Sequence, residues 1–205
     1  MKQLTLFGLI GLLLLAFTSC KEQEEAGEYD NWQQRNDHYI DSIAQVCRVN
    51  ADGQWTAFRS YDLGTNVTDD TDTRHYVYVH KETAGTGTYM PKNNDSIRVH
   101  YSGRLIPTDV HPQGYNFGRS YYGYTLDKTI DVPALMGVNG LVSGFKTAVM
   151  NMVEGDTWRI YVPYFLGYNA AEQTSSNIPA YSTLVFDVNL ARVYRYKIDT
   201  DTRWW

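Results

Sequence analysis

From Asn31 to Arg48 the apolar residues Trp32, Tyr39, Ile40, Ile43, Ala44 and Cys47 recur at three- and four-residue intervals. That spacing predicts an amphipathic helix, ended near Asn50 and Gly53. Trp55 to Tyr61 reads as a strand or an extended arm, and residues 62–74, rich in Asp, Thr, Asn and Gly, read as a loop. From Tyr76 onward the period falls to two. Tyr76–Val79, Ser96–Tyr101, Thr157–Val162 and Leu184–Leu190 are predicted strands. Between the second and third of them, Leu141 to Met152 follows Gly140 as a single predicted helix, with Val142, Phe145, Val149 and Met152 on one face. The sum is an α+β domain: an antiparallel sheet across one main helix, preceded by an N-terminal helical segment. No internal repeat interrupts this order.

The first twenty residues follow another pattern. Lys2 precedes an uncharged apolar run from Leu4 to Phe17. A bilayer-spanning helix needs roughly 20 such residues, so the run fits the core of a secretory signal peptide instead. It ends in Phe17-Thr18-Ser19-Cys20, small residues ahead of a cysteine. This resembles the bacterial lipoprotein box, with Phe17 in place of the usual leucine. The resemblance implies lipid on Cys20; the alternative is a plain secretory signal with an incidental cysteine. Lys21-Glu22-Gln23-Glu24-Glu25 resembles the acidic signals that direct Bacteroidetes-type lipoproteins to the outer cell surface.

Composition narrows the remaining choices. Charged residues make up 20% and hydrophobic ones 43%, enough apolar side chain for a packed core. Seventeen tyrosines and seven phenylalanines favour strands and aromatic surfaces. Net charge is -5, which argues against nucleic acid as the partner, since phosphate binding needs a basic patch. With Cys20 consumed, Cys47 alone remains, so no disulfide framework exists, and its periodic position reads as a small buried hydrophobe. His38, His75, His80, His100 and His111 lack metal-ligand spacing. Asp69, Asp70 and Asp72 form an acidic loop without the glycine and bidentate glutamate of a calcium hand. No phosphate loop or nucleophile elbow is present.

Four blocks in the second half, in order, resemble the FKBP family. Val99-His100-Tyr101-Ser102-Gly103 resembles its V-H-Y-T-G strand, and Leu141-Val142-Ser143-Gly144-Phe145 its V-I-x-G-W. Met152-Val153-Glu154-Gly155-Asp156 resembles the turn after its helix. Ile178-Pro179-Ala180-Tyr181-Ser182-Thr183-Leu184-Val185-Phe186-Asp187-Val188 resembles I-P-x-x-[AS]-T-L-V-F-D-V. The resemblance spans about residues 76–194. It implies an FKBP-like sheet wrapped across its helix, and peptidyl-prolyl cis-trans isomerase activity on proline-containing polypeptides without metal or cofactor. The chain then divides into a signal peptide over 1–19, lipidated Cys20 with an acidic tether to 30, a helix and arm over 31–74, an FKBP-type domain over 75–197 and a tail over 198–205.

The same resemblance implies a pocket. Tyr101, Phe117, Val142, Phe145, Ile178 and Phe186 take the positions of its catalytic walls and floor, with the Val142 N–H offered to substrate. Leu141, Tyr168 and Gly118 take adjoining substrate-binding positions. Gly118 stands where the family has an aspartate. Leu166-Gly167-Tyr168-Asn169 replaces A-Y-G and shifts the tyrosine by one place. The connections from Tyr101 to Phe117 and from Phe117 to Leu141 are longer than in the family. Tyr121, Tyr122 and Tyr124 within them either bind substrate or cover the sheet. Three functions follow: an isomerase for exported proteins, a weakly active or inactive FKBP-like binding module, or a structural lipoprotein whose own loops fill the pocket. Nothing in the pattern sets an oligomeric state.

Overall fold

The computed structural model describes residues 27–64, 71–123 and 125–197. The signal peptide, Cys20, the acidic run behind it, Asp69, Asp70, Tyr124 and the tail over 198–205 lie outside the described residues. The elements in chain order are α1 (Trp32–Val49), β1 (Trp55–Arg59), β2 (Tyr76–Thr83), β3 (Ser96–Arg104), β4 (Asn116–Arg119), β5 (Ala134–Gly137), α2 (Ser143–Val149), β6 (Thr157–Val162) and β7 (Leu184–Tyr194). The strands form one antiparallel sheet in the order β1-β2-β6-β7-β3-β4, and β5 pairs with the first half of β3 beside β4. The extended arm is therefore β1, an edge strand of the main sheet.

Strand alternation sorts the side chains into two layers. Val77, Val79, Ile160, Val162, Leu184, Phe186 and Val188 face α2, with Phe145, Ala148 and Val149, in the larger core. Tyr78, Tyr161 and Val185 face the other way and meet Ile40 and Ala44 of α1. Each face of the sheet is thus covered by a helix. The α1 stripe is Trp32, Asn36, Ile40 and Ala44, all buried. Asn50 ends the helix in a left-handed conformation, its N–H donating to the Val46 carbonyl, and its side-chain oxygen accepts from the Trp55 N–H at 2.9 Å, which starts β1.

The second predicted helix is longer than the observed one. A 3₁₀ turn over Val138–Gly140 delivers Leu141 and Val142 in extended conformation, and the helix opens only at Ser143. At its far end the Asn151 and Met152 N–H groups bond three residues back, and Asn151 Nδ2 donates to the Thr147 carbonyl at 2.8 Å. The tightened turn stops the α-helix although the apolar period continues.

Several motif residues hold the fold together. Gly155, at φ 97°, makes the turn before β6, a conformation that costs other residues a clash of Cβ with backbone. The next residue, Asp156, accepts from Val153 N–H and Gly85 N–H, both at 2.7 Å. Asp187 lies on the α1 face between Arg104 and Arg159, at 2.5 and 2.6 Å. Burial alone raises its pKa, but the two guanidinium bonds outweigh this and hold the carboxyl below its usual range.

The β1–β2 hairpin contains a pH-sensitive clasp. His80 Nε2 lies 2.8 Å from Asp52 and Nδ1 3.1 Å from Glu82. Carboxylates on both nitrogens favour the doubly protonated ring, and the Asp52 bond chiefly raises its pKa. A raised folded-state pKa gives stability that is complete below about pH 6.5 and lost as pH rises through the folded value. His80→Gln should therefore lower the denaturation midpoint at pH 5.5 and converge on wild type at pH 8.5. An equal deficit at both pH values would show that the clasp does not titrate.

Candidate active site

All nine pocket residues read from the sequence surround one cavity of about 300 Å³. Tyr101 comes from β3, and Phe117 and Gly118 from β4. Leu141, Val142 and Phe145 come from the entry and first turn of α2, Tyr168 and Ile178 from the β6–β7 connection, and Phe186 from β7. The volume is at the low end for small-molecule sites, about 300–1,000 Å³. Among the described residues no loop fills the cavity.

The floor consists of Phe145, Phe186 and Ile178, at 4%, 8% and 2% exposure. Phe186 is the hub: its ring meets Phe145 at 4.7 Å between centroids and Phe117 edge-on at 5.5 Å. Such pairs contribute about 0.5–1.5 kcal/mol beyond burial. Tyr101, Phe117, Leu141 and Val142 form half-buried walls. Cross-strand pairing places Phe186 opposite Gly103. A Cβ on Gly103 would stand 2.5 Å from the Phe117 ring and 2.9 Å from the Phe186 ring. Only glycine lets these two rings close over β3, which accounts for its place in the Tyr101 strand motif.

Among the described residues no Asp, Glu, Lys, Arg or His lines the cavity. Its polar groups are few. Val142 (φ −58°, ψ 147°) precedes α2, and its N–H donates to no group among the described residues. The Tyr101 hydroxyl also bonds to none of them. Gly118 lies beside it: a Cβ there would be 3.5 Å from Tyr101 Oη. Gly118 is not at positive φ, so its backbone admits an aspartate.

The shifted tyrosine reaches the site. A 3₁₀ turn over Tyr164–Leu166 buries Leu166, Gly167 follows at φ −106°, ψ −119°, and Tyr168 lines the rim at 37% exposure. Tyr122 is 96% exposed and outside the cavity, so it does not cover the sheet. Asp72 is engaged by Arg74, whose Nε and Nη2 donate to it at 2.9 and 2.8 Å. Among the described residues no cluster of His, Cys, Asp and Glu could hold a metal.

Met136, Gly140 and Ser176 complete the lining and were not foreseen. Met136 lies in β5, a four-residue strand too short to show alternation, though the apolar run between Pro133 and Gly137 was a usable signal. Ser176 stands in a polar run that reads only as loop.

An antiparallel sheet wrapped over one short helix, with an aromatic cavity between them, defines the FKBP-like class. The crystal structure of a peptidyl-prolyl cis-trans isomerase from Pseudomonas syringae shares the fold with a TM-score of 0.55, at 21% identity, covering 83% of this chain and 98% of that one. The chain is 32% identical over 109 residues to the macrophage infectivity potentiator of Trypanosoma cruzi, covering 53% of this chain and 48% of the relative. It is 32% identical over 104 residues to the FKBP-type 22 kDa peptidyl-prolyl cis-trans isomerase of Escherichia coli, covering 51% and 44%. The chain thus spans less than half the length of these two relatives. The profile of the FKBP-type peptidyl-prolyl cis-trans isomerases matches residues 87–191, just over half the chain. The chain belongs to that family.

Proposed function

We propose that the chain catalyses cis/trans exchange of X-Pro bonds in exported polypeptides. The observation that carries this reading is the uncharged aromatic cavity with the unpaired Val142 N–H in its wall. A planar peptide bond resists rotation by about 18–20 kcal/mol, and X-Pro exchange takes tens to hundreds of seconds. Twisting breaks the amide resonance and leaves a less polar bond. A dry apolar site favours that state over the planar one. The proline ring sits over Phe145 and Phe186, and the Val142 N–H holds a substrate carbonyl. No nucleophile is required.

The test is an X-Pro exchange assay on the purified full chain in mild detergent, with peptides bearing a bulky apolar residue before proline. Acceleration supports the isomerase. A second reading, a binding module with weak or no catalysis, rests on Gly118 in place of the family aspartate. Saturable peptide binding without acceleration, by folded protein, would establish it instead.

The anchoring proposal rests on the sequence of residues 1–25. Cys20 carries lipid, and the protein sits in the outer membrane, facing the periplasm or, as the acidic run suggests, the cell surface. One acyl chain binds membranes marginally, whereas several hold firmly. Wild type should therefore stay with membranes in high salt, and Cys20→Ala should yield unprocessed precursor or soluble protein. A freely soluble wild type would refute the anchor. Protease shaving of intact cells distinguishes the two faces.

A further inference from the structure

The β6–β7 connection, residues 163–183, brings Tyr168, Ser176 and Ile178 to the cavity. It is long for a structured connection. Its internal bonds are local turns, a Gln173–Ile178 bridge and the Tyr181 N–H donating to the Asn169 carbonyl at 2.7 Å. Asn177 Nδ2 donates to Tyr115 Oη at 3.0 Å and Arg74 Nη1 to Tyr164 Oη at 3.2 Å, and both ends of the connection are also tied to the start of α1, an element with no residue in the cavity lining. Trp32 Nε1–H donates to Ser182 Oγ at 2.8 Å, and Ser182 Oγ–H donates to the Pro179 carbonyl at 2.6 Å. Pro179 adjoins Ile178. Asn36 Oδ1 accepts from the Thr183 N–H at 2.7 Å, and Asn36 Nδ2 donates to the Trp32 carbonyl at 2.7 Å. Gln33 Nε2 donates to Tyr164 Oη at 3.3 Å, and Tyr164 meets Tyr181 edge-on at 5.4 Å. One helical turn thus fastens both feet of the connection, Tyr164 at its start and Ser182–Thr183 at its end.

Asn36 is the informative residue. It is 0% exposed within an otherwise apolar stripe, and asparagine is a poor helix former. An apolar side chain there would leave the Thr183 N–H without its partner, and Thr183 is also 0% exposed. The polar residue is therefore explained by the loop it holds. We infer that α1 is a working part of the substrate site, and that Trp32 and Asn36 are positioning residues which set the part of the cavity formed by Ile178 and Tyr168. The inference rests on the X-Pro reading for its functional meaning.

Trp32→Phe in the full chain removes the indole N–H and keeps a buried ring. Ser182→Ala breaks the same relay from the other side. Each should lower kcat/KM on an X-Pro peptide by about three- to tenfold, mainly through KM, and shift the Ile178 methyl resonances. The double variant should lose no more than either single one, because both cut one chain of bonds. Ile40→Val, on the same helix but packed on Tyr78, Tyr161 and Val185, supplies the control. It should lower thermal stability while leaving the rate and the Ile178 methyls unmoved. Unmoved methyls in Trp32→Phe, or equal shifts in Ile40→Val, would overturn the inference. A wild type without exchange activity overturns the proposed function, and the methyl comparison then decides this inference by itself.

Discussion

Gly103→Ala is expected to lower X-Pro exchange by roughly ten- to a hundredfold. The added Cβ would stand 2.5 and 2.6 Å from two atoms of the Phe117 ring and 2.9 Å from Phe186. β3 cannot retreat, being paired with β7 on one side and β4 on the other. Phe186 is held at 8% exposure among buried neighbours. The half-buried Phe117 is the ring that gives way, and the open volume beside it is the cavity. Overpacking of this kind costs about 1–3 kcal/mol, and each ~1.4 kcal/mol lost at the transition state is a tenfold loss in rate. The measurement is kcat/KM beside a denaturation midpoint. Activity within twofold of wild type would mean that the Phe117 wall takes no part in catalysis.

Gly118→Asp should act in the opposite direction, raising kcat/KM by about tenfold. The backbone accepts the side chain, and the Cβ meets only Tyr101, at 3.5 Å from Oη and 3.9 Å from Cε2, which is ordinary contact. The Tyr101 hydroxyl would then donate to the new carboxylate. A hydrogen bond to a charged acceptor is roughly twice as strong as a neutral one, and it would fix the orientation of the ring. Gly118→Asn supplies a neutral acceptor and should recover part of the gain. An unchanged rate in a folded Asp variant would place the divergence of the site elsewhere, in the loops around Tyr168 or Met136.

The parts legible in the sequence were those with a long enough period. α1, β2, β3, β6 and β7 announce themselves because many side chains repeat one facing pattern. β4 and β5 do not, since four residues carry only two inward positions. Asn36 was invisible for a different reason: a polar residue on a helix reads as surface until its partner, 147 positions away, is known. The length of α2 was misjudged because hydrophobic spacing reports burial, whereas the helix ends are set by backbone bonds around Val138 and Asn151. The cavity residues were legible only through motif order. Phe145, Phe186 and Ile178 are core residues by burial and cavity residues by position, so hydrophobicity alone does not separate the two. Gly155, Asp156 and Asp187 belong to the same motifs but serve the turn and the opposite face of the sheet.

The edges of the sheet have a consequence for a protein proposed to handle unfolded chains. At one end stands β1, with five residues; at the other, β4 and β5 divide the outer side of β3, with four residues each and a register shift between Gly103 and Arg104. An incoming polypeptide therefore meets no long row of free backbone groups on which to nucleate a cross-chain strand. If the proposed function holds, bound segments would find no template for aggregation along these edges.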